Sequence, residues 1–293
     1  MGLGTAGMRF EAPETLDAAV TLLHGEAGLA RPLAGGTDLL VQLRAGAVEP
    51  DLIVDLKRIP EMRQIAAVDG GFRIGAAVTG AELGEHPDLK KAWPGVVEAT
   101  ELIGSTQIQG RASLGGNLCN ASPAADSVPA MIAAAAAVTV AGPDGRREVP
   151  VEEFIAGPGQ TCLAKGEIVV AVNLPPRPDH AGDAYLRFIP RTEMDIAVVG
   201  AGVSLTLDDG GLCTHARVAL GAVAATPILV PAAADALIGT NGDEDALTRM
   251  AEAASAACRP IDDKRGTKAY RIKVAGVMAC RAAEIALERA RSC

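Results

Sequence analysis

Aromatic side chains are almost missing from this sequence: one Trp, two Tyr and four Phe make up 2% of 293 residues. Ala, Val, Leu and Ile must do the packing, and little is left from which to wall an organic-substrate pocket. Basic runs are missing as well, and the formal net charge is −9. Phosphate-backbone binding needs a basic stripe, so nucleic acid is excluded as a partner. The cysteines, Cys119, Cys162, Cys213, Cys258, Cys280 and Cys293, include no C-x-x-C pair. That argues against a disulfide framework and against a zinc or iron–sulfur site of ordinary spacing. It predicts free, mostly buried thiols in a reducing compartment. The start of the chain, MGLGTAGMRFEAPE, lacks the basic region and apolar core of a signal peptide. The longest apolar run, Val128 to Gly142, falls short of the roughly 20 residues of a membrane span. A soluble, cytoplasmic protein is expected.

Catalytic signatures are also lacking. No G-x-S-x-G, H-E-x-x-H or G-K-[ST] occurs, and His24, His86, His180 and His215 stand alone. Asp208-Asp209 and Asp262-Asp263 read as turn formers or caps. Gly2, Gly4 and Gly7 spell G-x-G-x-x-G, but no strand precedes them as a Rossmann turn requires. The chain therefore presents no catalytic residue and no metal ligand of its own, and any chemistry must come from a bound cofactor.

What is present points to two or three domains. In residues 1–60, PETLDAAVTLLHG places Leu16, Ala19, Val20 and Leu23 at helical spacing, with Gly25 as a stop. RPLA reads as a strand, GGTD as a turn, LLVQLRAG as a helix ending at Gly46, and DLIVDL as a second strand. Residues 61–178 hold two hairpins, turning at Asp69-Gly70-Gly71 and at Pro143-Asp144-Gly145. Between them lie predicted helices over LKKAWPGVVEATELI and SVPAMIAAAAA, the second capped by Ser127 with Pro129 in its first turn. NLPPRPDHAGD marks a boundary near 176–182. Residues 179–293 give strands around a further Asp-Gly-type turn, then helices over VPAAADALIG and GDEDALTRMAEAASAAC and a long last helix from Gly266 to Arg291.

Two glycine-rich stretches carry the functional signal. PLAGGTDLL is a strand–turn–helix in which backbone N–H groups can converge on an anion, aided by a helix N-terminus. An ordinary tight turn that needs glycine for positive φ reads the same way. SLGGN is similar: Gly115 and Gly116 permit close backbone approach, Ser113 and Asn117 offer side-chain donors, and Asp126 further on can accept from sugar or ribityl hydroxyls. It too has a bland reading, as a structural loop. Two such stretches in one chain favour a large phosphate-bearing cofactor, and an acidic protein can hold one through backbone dipoles.

PLAGGTDL followed by IGSTQIQGRASLGGNLCNASPAADSVP resembles the FAD-binding medium subunit of the molybdenum hydroxylases, the xanthine dehydrogenase and carbon monoxide dehydrogenase family. The resemblance extends over YLRFIPRTEMDIAVV and DDKRGTKAYRIKVAGVMACRAAEIAL, and so over essentially the whole chain. It implies an α+β fold: a p-cresol methylhydroxylase-type FAD-binding domain of two subdomains, then a C-terminal domain of antiparallel sheet and helices. It implies non-covalent FAD, held by Pro32, Leu33, Ala34, Gly35, Gly36, Thr37, Asp38 and Leu39 and by Ser113, Leu114, Gly115, Gly116 and Asn117. Asp126 takes the place of a family acid that bonds the cofactor. Ile103 and Val169 sit where relatives put apolar or aromatic groups against its rings. Arg187 replaces a family lysine in a K-x-x-x-R pattern, reading Arg187 to Arg191, which keeps the charge but not the geometry. Ile103 and Ile196 stand where some relatives carry an aromatic. One branch bears an extra four-cysteine cluster in this subunit, and no such cysteine group occurs here.

The resemblance further implies partners: a small subunit with two [2Fe-2S] clusters and a large molybdopterin subunit. Electrons would pass through FAD to NAD+, oxygen or a quinone-type carrier. A self-contained flavin oxidase or dehydrogenase and an assembly subunit that has lost FAD are the alternatives.

Overall fold

The computed structural model describes residues 7–192 and 194–292. The Gly2 and Gly4 part of the N-terminal glycine pattern, and Cys293, lie outside the described residues.

The chain begins with β1 (Arg9–Glu11), α1 (Leu16–Gly25), β2 (Ala30–Leu33), α2 (Leu39–Arg44) and β3 (Leu52–Asp55). The strands form a parallel sheet in the order β1-β3-β2. Parallel neighbours need a crossover, and α2 supplies it between β2 and β3. Thr15 caps α1 by accepting from the Ala18 N–H, and Leu16, Ala19, Val20 and Leu23 are buried, as their spacing predicts. Leu33 pairs with Asp55, so the turn after β2 emerges beside the end of β3.

The middle of the chain opens with the hairpin β4 (Ile65–Val68) and β5 (Gly71–Gly75). Asp69 and Gly70 both have positive φ, 50° and 80°, the primed turn that matches strand twist. Helices α3 (Gly80–Gly84), α4 (Pro87–Ala92), α5 (Pro94–Glu101), α6 (Thr106–Gln109), α7 (Leu114–Cys119) and α8 (Ser127–Ala133) follow. Next come β6 (Ala137–Gly142), β7 (Gly145–Pro150), α9 (Val151–Phe154), β8 (Ile155–Gly157), β9 (Gln160–Thr161) and β10 (Ile168–Leu174). An antiparallel five-stranded sheet has the order β4-β5-β10-β6-β7.

Four local expectations need correction here. The single helix expected over LKKAWPGVVEATELI is two, because Pro94 lacks an N–H and starts α5 afresh, with Trp93 ending α4. The alanine-rich helix stops at Ala133, short of the expected Ala137: Ala135 turns at φ 53°, and Ala137 joins the strand expected from Val138. Ser127 is the first residue of α8 rather than its cap, and its hydroxyl donates to Asn117 Oδ1 at 2.7 Å. SLGGN is not a loop, since all of it beyond Ser113 belongs to α7.

The remainder builds an antiparallel sheet of β11 (Ala181–Phe188), β12 (Val199–Leu207), β13 (Cys213–Gly221) and β14 (Ile228–Leu229). Helices α10 (Pro231–Asp235), α11 (Glu244–Ala257) and α12 (Lys268–Arg291) accompany it, with an alanine stripe of α12 buried against the sheet. This sheet and its helices share one core; the two preceding sheets share another. Between the cores, Asp183 on β11 is 3% exposed and accepts from the Gly95 N–H at 2.8 Å and from Arg177 at 2.6 Å. Burial raises its carboxyl pKa, and Arg177 opposes the rise. Among the described residues no helix is long and apolar enough to cross a membrane.

Candidate functional site

Between the first sheet and the middle of the chain lies a cleft of about 900 Å³. Its walls are the turn after β2, the first turns of α7, Ile103, and the segment from Gly159 to Val169. A volume of this order suits a large organic ligand.

The turn after β2 is built for close backbone approach. Gly36 has φ +81°, a region that glycine enters without strain. A Cβ at Gly35 would collide with the carbonyl oxygen of Arg111, so this turn and the chain leading into α7 pack backbone to backbone. The N–H groups of Gly35, Gly36, Thr37, Asp38 and Leu39 have no acceptor among the described residues. Asp38 holds the N-cap position of α2, yet its carboxyl makes no capping bond. Pro32, Leu33, Ala34, Gly35, Gly36, Thr37, Asp38 and Leu39 all line the cleft. A run of free donors is the arrangement an anion needs. With six residues each, α2 and α7 add little macrodipole, so the donors themselves do the work.

The second stretch differs in detail. Ser113 caps α7 by accepting from the Gly116 N–H at 3.1 Å, so that amide is already engaged. The Gly115 N–H has no acceptor among the described residues. A Cβ at Gly115 would sit 2.6 Å from Ala76 Cβ, whereas one at Gly116 would meet only Ser113 Oγ, at 3.1 Å. Gly115 therefore seats α7, and Gly116 leaves the cleft floor bare. Asn117 uses Oδ1 to accept from the N–H and hydroxyl of Ser127, leaving its Nδ2 group to donate. Ser113, Gly115, Gly116 and Asn117 line the cleft, as do Ile103 and Val169, which are 9% and 3% exposed.

The remaining expected positions lie outside the lining. Leu114 is 2% exposed and belongs to the core beneath α7. Asp126 and Arg187 are paired at 3.1 Å, and Arg187 also donates to the Leu102 carbonyl at 2.7 Å, directly behind Ile103. Burial lifts the Asp126 pKa to about 6, against the opposing pull of Arg187 and of the Tyr185 hydroxyl. Ile196 is 54% exposed, and Asp195 beside it accepts from Arg191 and Arg265. Asp195 is consequently held far below the usual carboxylate range.

Sequence reasoning missed the wall formed by Thr161, Leu163, Ala164 and Lys165, which carries no recognisable motif, and Lys57, which backs the first turn. It also overstated the burial of the thiols. Cys213 and Cys258 are buried, but Cys162 and Cys280 are partly open, and Cys119 is exposed at the cleft.

A cleft of this size, lined by unaccepted backbone donors from two glycine stretches and by aliphatic groups, suits a large phosphate-bearing cofactor. Comparison with known proteins makes the class specific. Residues 6–177 match a family described as the FAD binding domain in molybdopterin dehydrogenase, and residues 184–286 match the CO dehydrogenase flavoprotein C-terminal domain. The chain is 33% identical to the carbon monoxide dehydrogenase medium chain of Hydrogenophaga pseudoflava, over 96% of this chain and 98% of that one. It is 34% identical to a xanthine dehydrogenase FAD-binding subunit of Escherichia coli, over 90% of each. Its fold superimposes on a chain of CO dehydrogenase from Oligotropha carboxidovorans with a TM-score of 0.92 at 34% identity, covering 96% of this chain and 98% of that one. The chain belongs to the FAD-binding medium subunits of the molybdenum hydroxylases, a family of oxidoreductases. Its cofactor is FAD.

Proposed function

We propose that this chain is the electron-transfer subunit of a cytoplasmic heteromeric molybdenum hydroxylase. The run of unaccepted N–H groups from Gly35 to Leu39, on a cleft wide enough for a dinucleotide, is the observation that carries the reading. When bound, FAD supplies a ring system that accepts a pair of electrons and gives them up singly or together. The chain's own residues have a holding task. The amides of Gly35 through Leu39 and of Gly115 would donate to the diphosphate, Asn117 Nδ2 and the Ser113 hydroxyl would add side-chain donors, and Ile103 and Val169 would keep water from the rings. Asp126, outside the lining and paired with Arg187, which donates to the Leu102 carbonyl, would support the wall at Ile103. No lysine is needed because the diphosphate is held and not cleaved.

The partners in this reading are a small subunit with two [2Fe-2S] clusters and a large molybdopterin subunit, in a heterotrimer or a dimer of heterotrimers. Electrons would enter from the clusters and leave to NAD+, oxygen or a quinone-type acceptor. Residues 1–60 and 61–178 form the two FAD-binding subdomains, and residues 179–293 the C-terminal domain. A self-contained oxidase is disfavoured by the lining, which has no histidine and whose Glu167 is tied to Arg147 at 2.7 Å.

Purification of the chain with its partners tests the proposal. Flavin, iron and molybdenum should accompany it, and substrate should bleach the flavin only in the assembled complex. Bleaching of flavin by an organic substrate in the isolated chain would overturn the electron-transfer assignment in favour of an oxidase.

A further inference from the structure

Lys57 lies just beyond β3, on the far side of the first glycine turn from the cleft. With Arg44, Ile108 and Arg111 it lines a second, smaller hollow of about 420 Å³ that shares Gly35, Gly36 and Thr37 with the cleft. Its ammonium group donates to the carbonyl of Ala34 at 3.1 Å and to Asp55 Oδ1 at 2.7 Å. Asp55 also accepts from the Lys57 N–H at 3.0 Å, and its strand position is fixed by pairing with Leu33. The ammonium thus ties the start of the turn to the end of β3.

The consequence follows from peptide geometry. The bond between Ala34 and Gly35 is trans, since no cis peptide occurs among the described residues. In a trans peptide unit the C=O and the following N–H point in opposite directions. Pulling the Ala34 carbonyl toward the second hollow therefore turns the Gly35 N–H the other way, into the cleft, where no acceptor meets it.

We infer that Lys57 is a positioning residue for the diphosphate of the bound nucleotide: it holds the Ala34–Gly35 peptide in the orientation that aims the Gly35 N–H at the phosphate oxygens. The inference rests on the FAD reading of the cleft. Lys57 acts through the peptide and does not touch the ligand.

The test uses the full chain stripped of flavin and titrated with ADP and with adenosine, which differ in the diphosphate alone. In wild type ADP binds more tightly than adenosine. Lys57→Met should cut that preference by about tenfold, the worth of one charge-assisted hydrogen bond. Lys57→Arg, which can still donate to the carbonyl, should restore most of it. Lys57→Gln, too short to reach, should match Lys57→Met and serves as the second variant. The loss should persist at about 0.5 M salt, where a simple long-range charge effect would be screened away. Equal losses for ADP and adenosine, or an unchanged preference in both Lys57→Met and Lys57→Gln, would overturn the role. Absence of any ADP preference in wild type would instead sink the nucleotide reading itself.

Discussion

The two glycine stretches look alike as letters and are used differently. In Ala34–Leu39 the glycines serve the backbone of an open turn: Gly36 takes a positive φ, Gly35 allows contact with the Arg111 carbonyl, and the amides from Gly35 to Leu39 have no acceptor among the described residues. In Ser113–Asn117 the glycines serve a helix: Gly115 lets α7 lie on Ala76, Gly116 keeps the floor flat, and Ser113 already satisfies one amide. The first stretch offers donors, and the second offers mainly shape. Cofactor affinity should therefore depend on conformation at the first and on bare surface at the second.

The largest effect is expected at the contact between the two. Gly35→Val drives a side chain into the backbone ahead of α7, so flavin content should vanish and stability should fall by about 3 kcal/mol, read by visible absorption and thermal melting. Survival of normal flavin content in this variant would break the account of the turn. The next pair separates helix seating from surface. Gly115→Ala should lower stability by about 1–3 kcal/mol through overpacking on Ala76. Gly116→Val should leave the melting temperature close to wild type yet lose flavin, because its side chain fills the cleft floor. Similar stability losses in the two variants would erase the distinction.

Asp126, in the segment after the second stretch, should show in pH dependence. Its folded-state pKa is raised to about 6, above the unfolded carboxylate value near 4. The folded state thus holds this proton more tightly. The associated stability is full below about pH 4 and lost as pH rises through about 6, a change of about 3 kcal/mol. Denaturant titrations of the flavin-free chain from pH 4 to 7 should show this slope, and Asp126→Asn should lack it. The smallest effect belongs to Ser113→Ala. Loss of the α7 cap should cost about 1 kcal/mol and release the Gly116 N–H toward the cleft, so flavin affinity should fall less than stability does.

Much of this was legible in the residue order. The helical spacing of Leu16, Ala19, Val20 and Leu23, the Asp69-Gly70 turn and the strand–turn–helix around AGGTD are local patterns, and they formed as read. What was misread depended on neighbours distant in sequence. Ala134 to Ala137 look helical beside their alanine neighbours, but the helix ends at Ala133 and β10 and β7 draw Ala137 into a strand. Leu114 shares a motif with cleft residues yet turns to the core, because α7 presents only one face to the cleft. Lys57 carries no motif at all, and only the pairing of β2 with β3 brings it behind the turn.

By itself the sequence determined the local helices, strands and turns, the two glycine stretches and the want of a recognised catalytic motif. These follow from residue type and local spacing, which act over a few residues of chain. The α+β class and the family were read from the resemblance of its motifs to known proteins. The tertiary structure decided which amides stay free, why each glycine cannot be another residue, and that Asp126 answers to Arg187 across the junction of the two cores. Those are set by contacts between segments far apart in the chain, and burial and electrostatics take their values only once such segments have packed together.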